Sequence, residues 1–263
     1  MYKLGILGLG NMGKSILSGI IKSNIYNKED ILLYDIDDAK LEQFCNQGII
    51  KAKNIDELVE LSDTILLAIK PQNLNNIKIN KTDKKYNIIS IIAGKTVEDI
   101  REVFGQCDII RVMPNTPSLI GYGTTVIAKN KYTNDILFQE AKKIFLSIGT
   151  VEEVDDAMIN EVIPFNGSMP AFLYYYVKLY LEKAIELKLD ESIAKKLIVN
   201  TIIGSSMMIL NTDNSIEKLI NDVCSPGGAT LKGLEEMDKA NLKLIINNVC
   251  DSCIKRAYEL SKK

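Results

Sequence analysis

At 263 residues, with 46% hydrophobic and 25% charged residues, the chain is long enough for two unequal domains and a substantial buried core. A formal net charge of −2 without long single-sign blocks argues against a nucleic-acid or membrane-surface partner and for a small molecule. Histidine is absent, which excludes a Ser-His-Asp triad, a histidine acid and a histidine-held zinc, so no metal site is expected and chemistry falls to hydroxyls, lysines, carboxylates, backbone dipoles or a cofactor.

The chain opens on the apolar run "KLGILG" at 3–8, which turns glycine-rich before a signal-peptide core forms. No uninterrupted apolar run reaches the ~18 residues that span a bilayer, so a cytoplasmic protein is expected. Gly8, Gly10 and Gly13 follow this first strand and open a helical pattern. That spacing gives a tight turn, close backbone approach to a pyrophosphate and close helix-sheet packing, with the phosphate at the helix N-terminus. Asp35 ends the next run, "ILLYD" at 31–35, about 20 residues further on, where a carboxylate meets the adenosine ribose. "YDIDDAK" has no basic residue before Lys40, so NADH is expected to serve at least as well as NADPH.

Further apolar runs follow at 64–70, 87–93, 108–112 and 123–128, with helical patterns between. Continuous hydrophobic strands alternating with helices imply a mostly parallel, doubly wound α/β sheet covered on both faces. Three strand ends, "AIKPQ" at 68–72, "SIIAG" at 90–94 and "RVMPNTP" at 111–117, point to one crevice at the carboxyl edge, where such folds bind ligands. Taken alone, Lys70 and Pro71 read either as a cofactor wall or as a strand-ending turn.

Beyond about residue 153 the β-rich runs stop. The segments 169–189, 191–210, 215–222 and 241–262 read as helices, apolar over much of their circumference. So much apolar surface implies an oligomer interface. Periodicity breaks at "IPFNGSMP", and the domains are set at 1–160, a Rossmann-type dinucleotide-binding domain, and 161–263, an all-helical dimerisation domain. Near the end, "DVCSPGGAT" at 222–230 places Ser225 and Pro226 as helix cap and first helical residue. Gly227 and Gly228 then leave backbone N–H groups unshielded, and Thr230 adds a hydroxyl one turn in. The stretch reads either as a carboxylate site or as a flexible helix start. The five cysteines, "CDSC" at 250–253 included, read as reduced thiols.

"GLGNMG", "AIKPQ", "SIIAG", "RVMPNTP", "NGSMPAF" and "DVCSPGGAT" together resemble pyrroline-5-carboxylate reductase, in order and spacing, over nearly the whole chain; the last motif is the most specific. The resemblance implies reduction of a cyclic imine to proline with NADPH or NADH. It implies that Gly8, Asn11 and Met12 hold the pyrophosphate and that Asn54 lies near the adenosine. Ala68, Lys70 and Pro71 would line the cofactor, with Asn115 toward the nicotinamide. Ser225, Gly227, Gly228 and Thr230 would bind the imino acid. Such an imine needs a proton on nitrogen, and with no histidine to give it the Thr230 hydroxyl is the candidate catalytic donor or orienting group. The resemblance also implies a homodimer and rings of five dimers. Three positions depart from the family pattern: Asn166 and Met169 replace a small serine and glycine, and Asn221 stands where aspartate is usual. Two alternatives remain: a non-catalytic cofactor-binding homologue, and a β-hydroxyacid dehydrogenase-like enzyme using Lys178. In the latter, the asparagine three positions beyond the lysine is replaced by Leu181.

Overall fold

The protein, described by a computed structural model over residues 1–80 and 84–261, places eight strands of the described chain in one sheet. They are β1 (Tyr2–Leu7), β2 (Ile31–Tyr34), β3 (Ile50–Lys51), β4 (Ser62–Leu67), β5 (Tyr86–Ser90), β6 (Cys107–Met113), β7 (Gly123–Lys129) and β8 (Gly149–Asp155). Their spatial order is β3-β2-β1-β4-β5-β6-β7-β8. All neighbours pair in parallel except β6 and β7, which are antiparallel, with Arg111 opposite Ala128. The chain winds outward from β1 through β2 to β3 and then restarts at β4 on the other side of β1. The crevice above the β1–β4 pair is therefore the topological switch point, where open α/β sheets bind ligands.

Successive strand residues point to opposite faces, so each central strand feeds two cores. On one face Leu4, Ile6, Leu66 and Ile89 pack with α1 (Asn11–Lys22), α2 (Ala39–Cys45) and α5 (Asp135–Leu146) through Ile16, Phe44 and Phe138. On the other, Leu7, Ile65, Leu67 and Ile88 pack with α3 (Ile55–Leu61) and α4 (Val97–Phe104) through Leu58, Ile100 and Phe104. This two-sided burial is why the strands read as unbroken apolar runs. No apolar run marks β3 or β8, and both are edge strands. β3 has two exposed residues, and β8 carries Glu152 and Glu153 toward solvent, so neither shows an apolar run.

Helices α6 (Met169–Glu186), α7 (Glu191–Leu210), α8 (Ile216–Val223), α9 (Ala229–Lys239) and α10 (Leu242–Ser261) follow. Asp190 and Ser215 cap α7 and α8 by accepting from Ile193 N and Lys218 N. The described residues form two compact units, Met1–Pro170 with the residues from Cys253 on, and Ala171–Ser252. The loop after β8 is fastened to the first unit. Arg111 pairs with Asp156, and Asn166 Nδ2 donates to Met113 O at 2.7 Å. In the second unit large apolar side chains such as Leu197, Ile203, Met207 and Met208 are exposed. By length and composition α7 is apolar enough to cross a membrane.

Candidate active site

A crevice of about 920 Å³ lies along the carboxyl ends of the strands in the first unit. Its floor is the turn after β1. Gly8 has φ +100°, and its N–H donates to Tyr34 O at 2.8 Å. A Cβ there would lie 2.7 Å from Ala68 O, so the left-handed backbone and the close strand both demand glycine. Gly13, inside α1, would put a Cβ 2.2 Å from Gly8 O; its absence lets the helix seat directly on the turn. Gly10 differs from both. It caps α1 in an extended conformation, φ −69°, and a Cβ there would meet nothing within 4 Å. The open space above Gly10 is a cradle that a side chain would fill. No side chain caps α1, and its first turn carries no acidic residue, so its free N–H groups and positive dipole end suit a phosphate.

At the β2 end of the crevice Asp35 is only 9% exposed. Its Oδ2 accepts from Leu9 N at 2.7 Å, and its Oδ1 accepts from Asp37 N at 2.9 Å and Lys40 Nζ at 3.2 Å. Burial alone would push its carboxyl up, but the N–H groups of Leu9 and Asp37 and the Lys40 ammonium outweigh that and hold it below the ordinary carboxylate range. Asp35 thus lines the crevice while clamping the glycine loop. Lys40 also lies 3.6 Å from Asp37, and its own pKa is raised chiefly by its bond to Asp35.

The opposite wall runs from Ala68, Ile69, Lys70 and Pro71 into a 3-10 turn, Pro71–Asn76. Beyond it lie Ser90–Gly94 and Arg111–Pro114, with Asn160, Ile163 and Gly167 from the loop after β8. Arg111 is held by Asp156 at 2.5 and 2.7 Å and by Lys95 O at 3.2 Å.

Gly8, Gly10, Asn11, Met12, Asp35, Ala68, Lys70 and Pro71 therefore all line one crevice. Gly13 lies beneath it. Asn54 and Asn115 are not on its wall: Asn54 caps α3, accepting from Glu57 N at 2.8 Å, and Asn115 Oδ1 accepts from Thr124 N at 2.9 Å. The lining residues that sequence reasoning passed over include Ile36, Ile55, Asn73, Asn76, Ile77, Leu119 and the Ile159–Gly167 loop; only the break at "IPFNGSMP" hinted at the last.

In the second unit Ser225 and Pro226 are not a helix cap and first helical residue, as the sequence suggested. Gly228 N donates to Ser225 O at 2.9 Å, and Gly227 has φ +70°. Proline followed by a positive-φ glycine makes a tight turn of type II character, and it delays the helix. Gly228 becomes the N-cap of α9, without a side-chain cap or an acidic residue in the first turn. Thr230 stands exposed in that turn. Met169 is 44% exposed at the start of α6, whereas Asn166 is buried and tied to Met113.

Residues 156–260 match the family described as pyrroline-5-carboxylate reductase dimerisation, and residues 3–94 match NADP oxidoreductase, coenzyme F420-dependent. A pyrroline-5-carboxylate reductase of Synechocystis is 31% identical over 265 residues, covering 99% of both chains. The chain belongs to the pyrroline-5-carboxylate reductase family. The reductase of Escherichia coli is 29% identical, covering 99% of this chain and 98% of its own. The crystal structure of Plasmodium falciparum pyrroline carboxylate reductase with NADP bound superposes with a TM-score of 0.86 at 29% identity, over 99% of this chain and 98% of that one. The reductase from Coxiella burnetii gives 0.87 at 28% identity, over 100% and 99%. This family membership agrees with the resemblance carried by the motifs and with the Rossmann-type sheet followed by helices. Lys178, the residue a β-hydroxyacid dehydrogenase would use, is a surface charge paired with Glu182 at 3.6 Å.

Proposed function

We propose that this chain reduces 1-pyrroline-5-carboxylate to L-proline with NADH or NADPH, the last step of proline biosynthesis. The observation that carries this reading is the full-length correspondence with relatives named for that reaction. The crevice in the first unit fits a dinucleotide: the cradle over Gly10, the uncapped start of α1 and the strand ends that wall it in supply what a pyrophosphate and its flanking groups require. Gly8, Gly10, Asn11 and Met12 would hold the pyrophosphate, with Gly13 beneath them. Asp35 would serve the adenosine end and Ala68, Lys70 and Pro71 the wall; Asn54 and Asn115, set behind the wall and bonded to Glu57 N and Thr124 N, would flank the adenosine and nicotinamide ends. The cofactor, when bound, supplies the hydride for the imine carbon.

The protein's own part is orientation and one proton. No negative charge builds on oxygen, so no oxyanion hole is needed; the imine nitrogen must end protonated. Ser225, Gly227 and Gly228 form the turn, closed by Gly228 N donating to Ser225 O, that leads into the uncapped start of α9, whose N–H groups suit the substrate carboxylate. The Thr230 hydroxyl, in the first turn of α9, orients the imine nitrogen or donates its proton, a role that histidine is absent to fill. Residues 1–160 would serve as the nucleotide-binding domain, with Ile163 and Gly167 adding to its crevice, and 161–263 as the helical domain that binds substrate and dimerises. The exposed apolar side chains of the second unit, α7 included, are covered by a second copy rather than by lipid, and dimers assemble further into rings of five. The protein acts in the cytoplasm without nucleic-acid or membrane partners.

The test is oxidation of NADH and NADPH by purified protein with 1-pyrroline-5-carboxylate, beside 3-hydroxy acids assayed in the reverse direction. Imine-dependent oxidation alone is expected. Folded protein that binds cofactor yet shows no such oxidation would point to a non-catalytic homologue.

A further inference from the structure

We propose that Lys40 sets the competition between the two nicotinamide dinucleotides: it exchanges its ion pairs with Asp35 and Asp37 for one with a 2′-phosphate, so that the crevice admits NADPH beside NADH. The inference rests on the dinucleotide reading of the crevice and adds the residue that governs cofactor choice.

Three cations line the crevice among the described residues: Lys40, Lys70 and Arg111. Arg111 is committed to Asp156 and Lys95 O. Lys70 sits at the β4 end, ahead of the 3-10 turn. Lys40 alone stands by the end of β2, where the adenosine ribose lies in a crevice of this kind. Its side chain is 37% exposed, and a four-carbon stem lets the ammonium move without moving backbone.

The exchange is feasible because neither carboxylate is stranded by it. When Lys40 turns away, Asp35 keeps its bonds from Leu9 N and Asp37 N, and Asp37 Oδ1 keeps one from Ala39 N at 3.2 Å. A buried carboxylate with no remaining donor would forbid the motion; Asp35 retains two. The local charge limits how far NADPH can be favoured. Asp35, Asp37 and Asp38 face Lys40 and Lys51, the latter 3.2 Å from Asp38, leaving one uncompensated negative charge beside the incoming phosphate. The chain therefore uses NADH at least as well as NADPH, and its use of NADPH depends on Lys40.

The test measures binding of 2′,5′-ADP and of 5′-AMP by calorimetry, which needs no turnover, in wild type, Lys40→Met, Lys40→Arg and Asp37→Asn, with thermal melts as the folding control. For Lys40→Met the affinity ratio of 2′,5′-ADP to 5′-AMP should fall about tenfold, and its salt dependence should flatten. Lys40→Arg should restore most of the ratio, and Asp37→Asn should raise it several-fold, about fivefold. An unchanged ratio in a folded Lys40→Met protein overturns the proposal while leaving the proposed function standing. Wild-type protein that binds neither nucleotide nor NADH overturns both.

Discussion

Two glycines of the same loop should fail in opposite ways when each is changed to alanine. At Gly13 the new Cβ would lie 2.2 Å from Gly8 O, where ordinary contact begins at 3.4 Å. Helix α1 must withdraw by about an ångström from the turn it rests on, an overpacking cost of about 1–3 kcal/mol. For a unit of this size each kcal/mol lowers Tm by about 2–4 °C, so Gly13→Ala should melt about 2–12 °C lower. At Gly10 the Cβ meets nothing within 4 Å, and the backbone is one any residue adopts. Stability should change by less than about 0.5 kcal/mol, or rise slightly as the unfolded chain loses freedom. The methyl, however, occupies the space through which a pyrophosphate approaches the backbone. A loss of about 10- to 100-fold in dinucleotide affinity is expected, or about 1.4–2.7 kcal/mol. Thermal melts and fluorescence titration with NADH separate the two effects. Gly10→Ala protein that binds NADH like wild type would refute the close-approach account of this loop.

Thr230→Val preserves shape and removes the hydroxyl, so kcat should fall by about 10- to 1000-fold with little change in Tm; unaltered kinetics would reduce Thr230 to a packing residue. Asp35 has a folded-state pKa below its unfolded value, so its clamp on Leu9 is fully present above the unfolded value near 3.9 and is lost as pH falls through the lower folded value. NADH affinity should therefore show an acid limb below about pH 4 that Asp35→Asn abolishes, and identical acid limbs in the two proteins would remove Asp35 from the loop's support. Sedimentation at assay concentration should find a dimer or larger assembly, given the apolar exposure of α6 and α7; a monomeric, active protein would contradict the dimer.

What could be read from the sequence was what repeats or what has one physical cause. The central strands announced themselves because both faces are buried, and the glycine loop because its three positions each exclude a side chain or leave room for a ligand. β8 escaped because an edge strand with Glu152 and Glu153 has no apolar period to detect. Asn166 looked like a small change in a substrate motif, and only the fold shows its amide fastening the loop after β8 to Met113. Ser225 and Pro226 looked like a helix start because serine before proline is a common cap. The positive φ of Gly227 turned the chain first, a choice that glycine permits but does not announce. Asp35 was placed correctly at the strand end, yet its partners Leu9 and Lys40 depend on loop geometry that no spacing rule encodes.

The central claim is that hydride passes from the nicotinamide to the imine carbon of pyrroline-5-carboxylate on this protein. Turnover with NADH dideuterated at nicotinamide C4, followed by mass spectrometry and NMR of the product, tests it most directly. Deuterium should appear at C5 of L-proline, one atom per molecule formed, with none incorporated from deuterated water at that carbon. Proline formed without deuterium at C5, or no proline from folded protein that binds NADH, would contradict it.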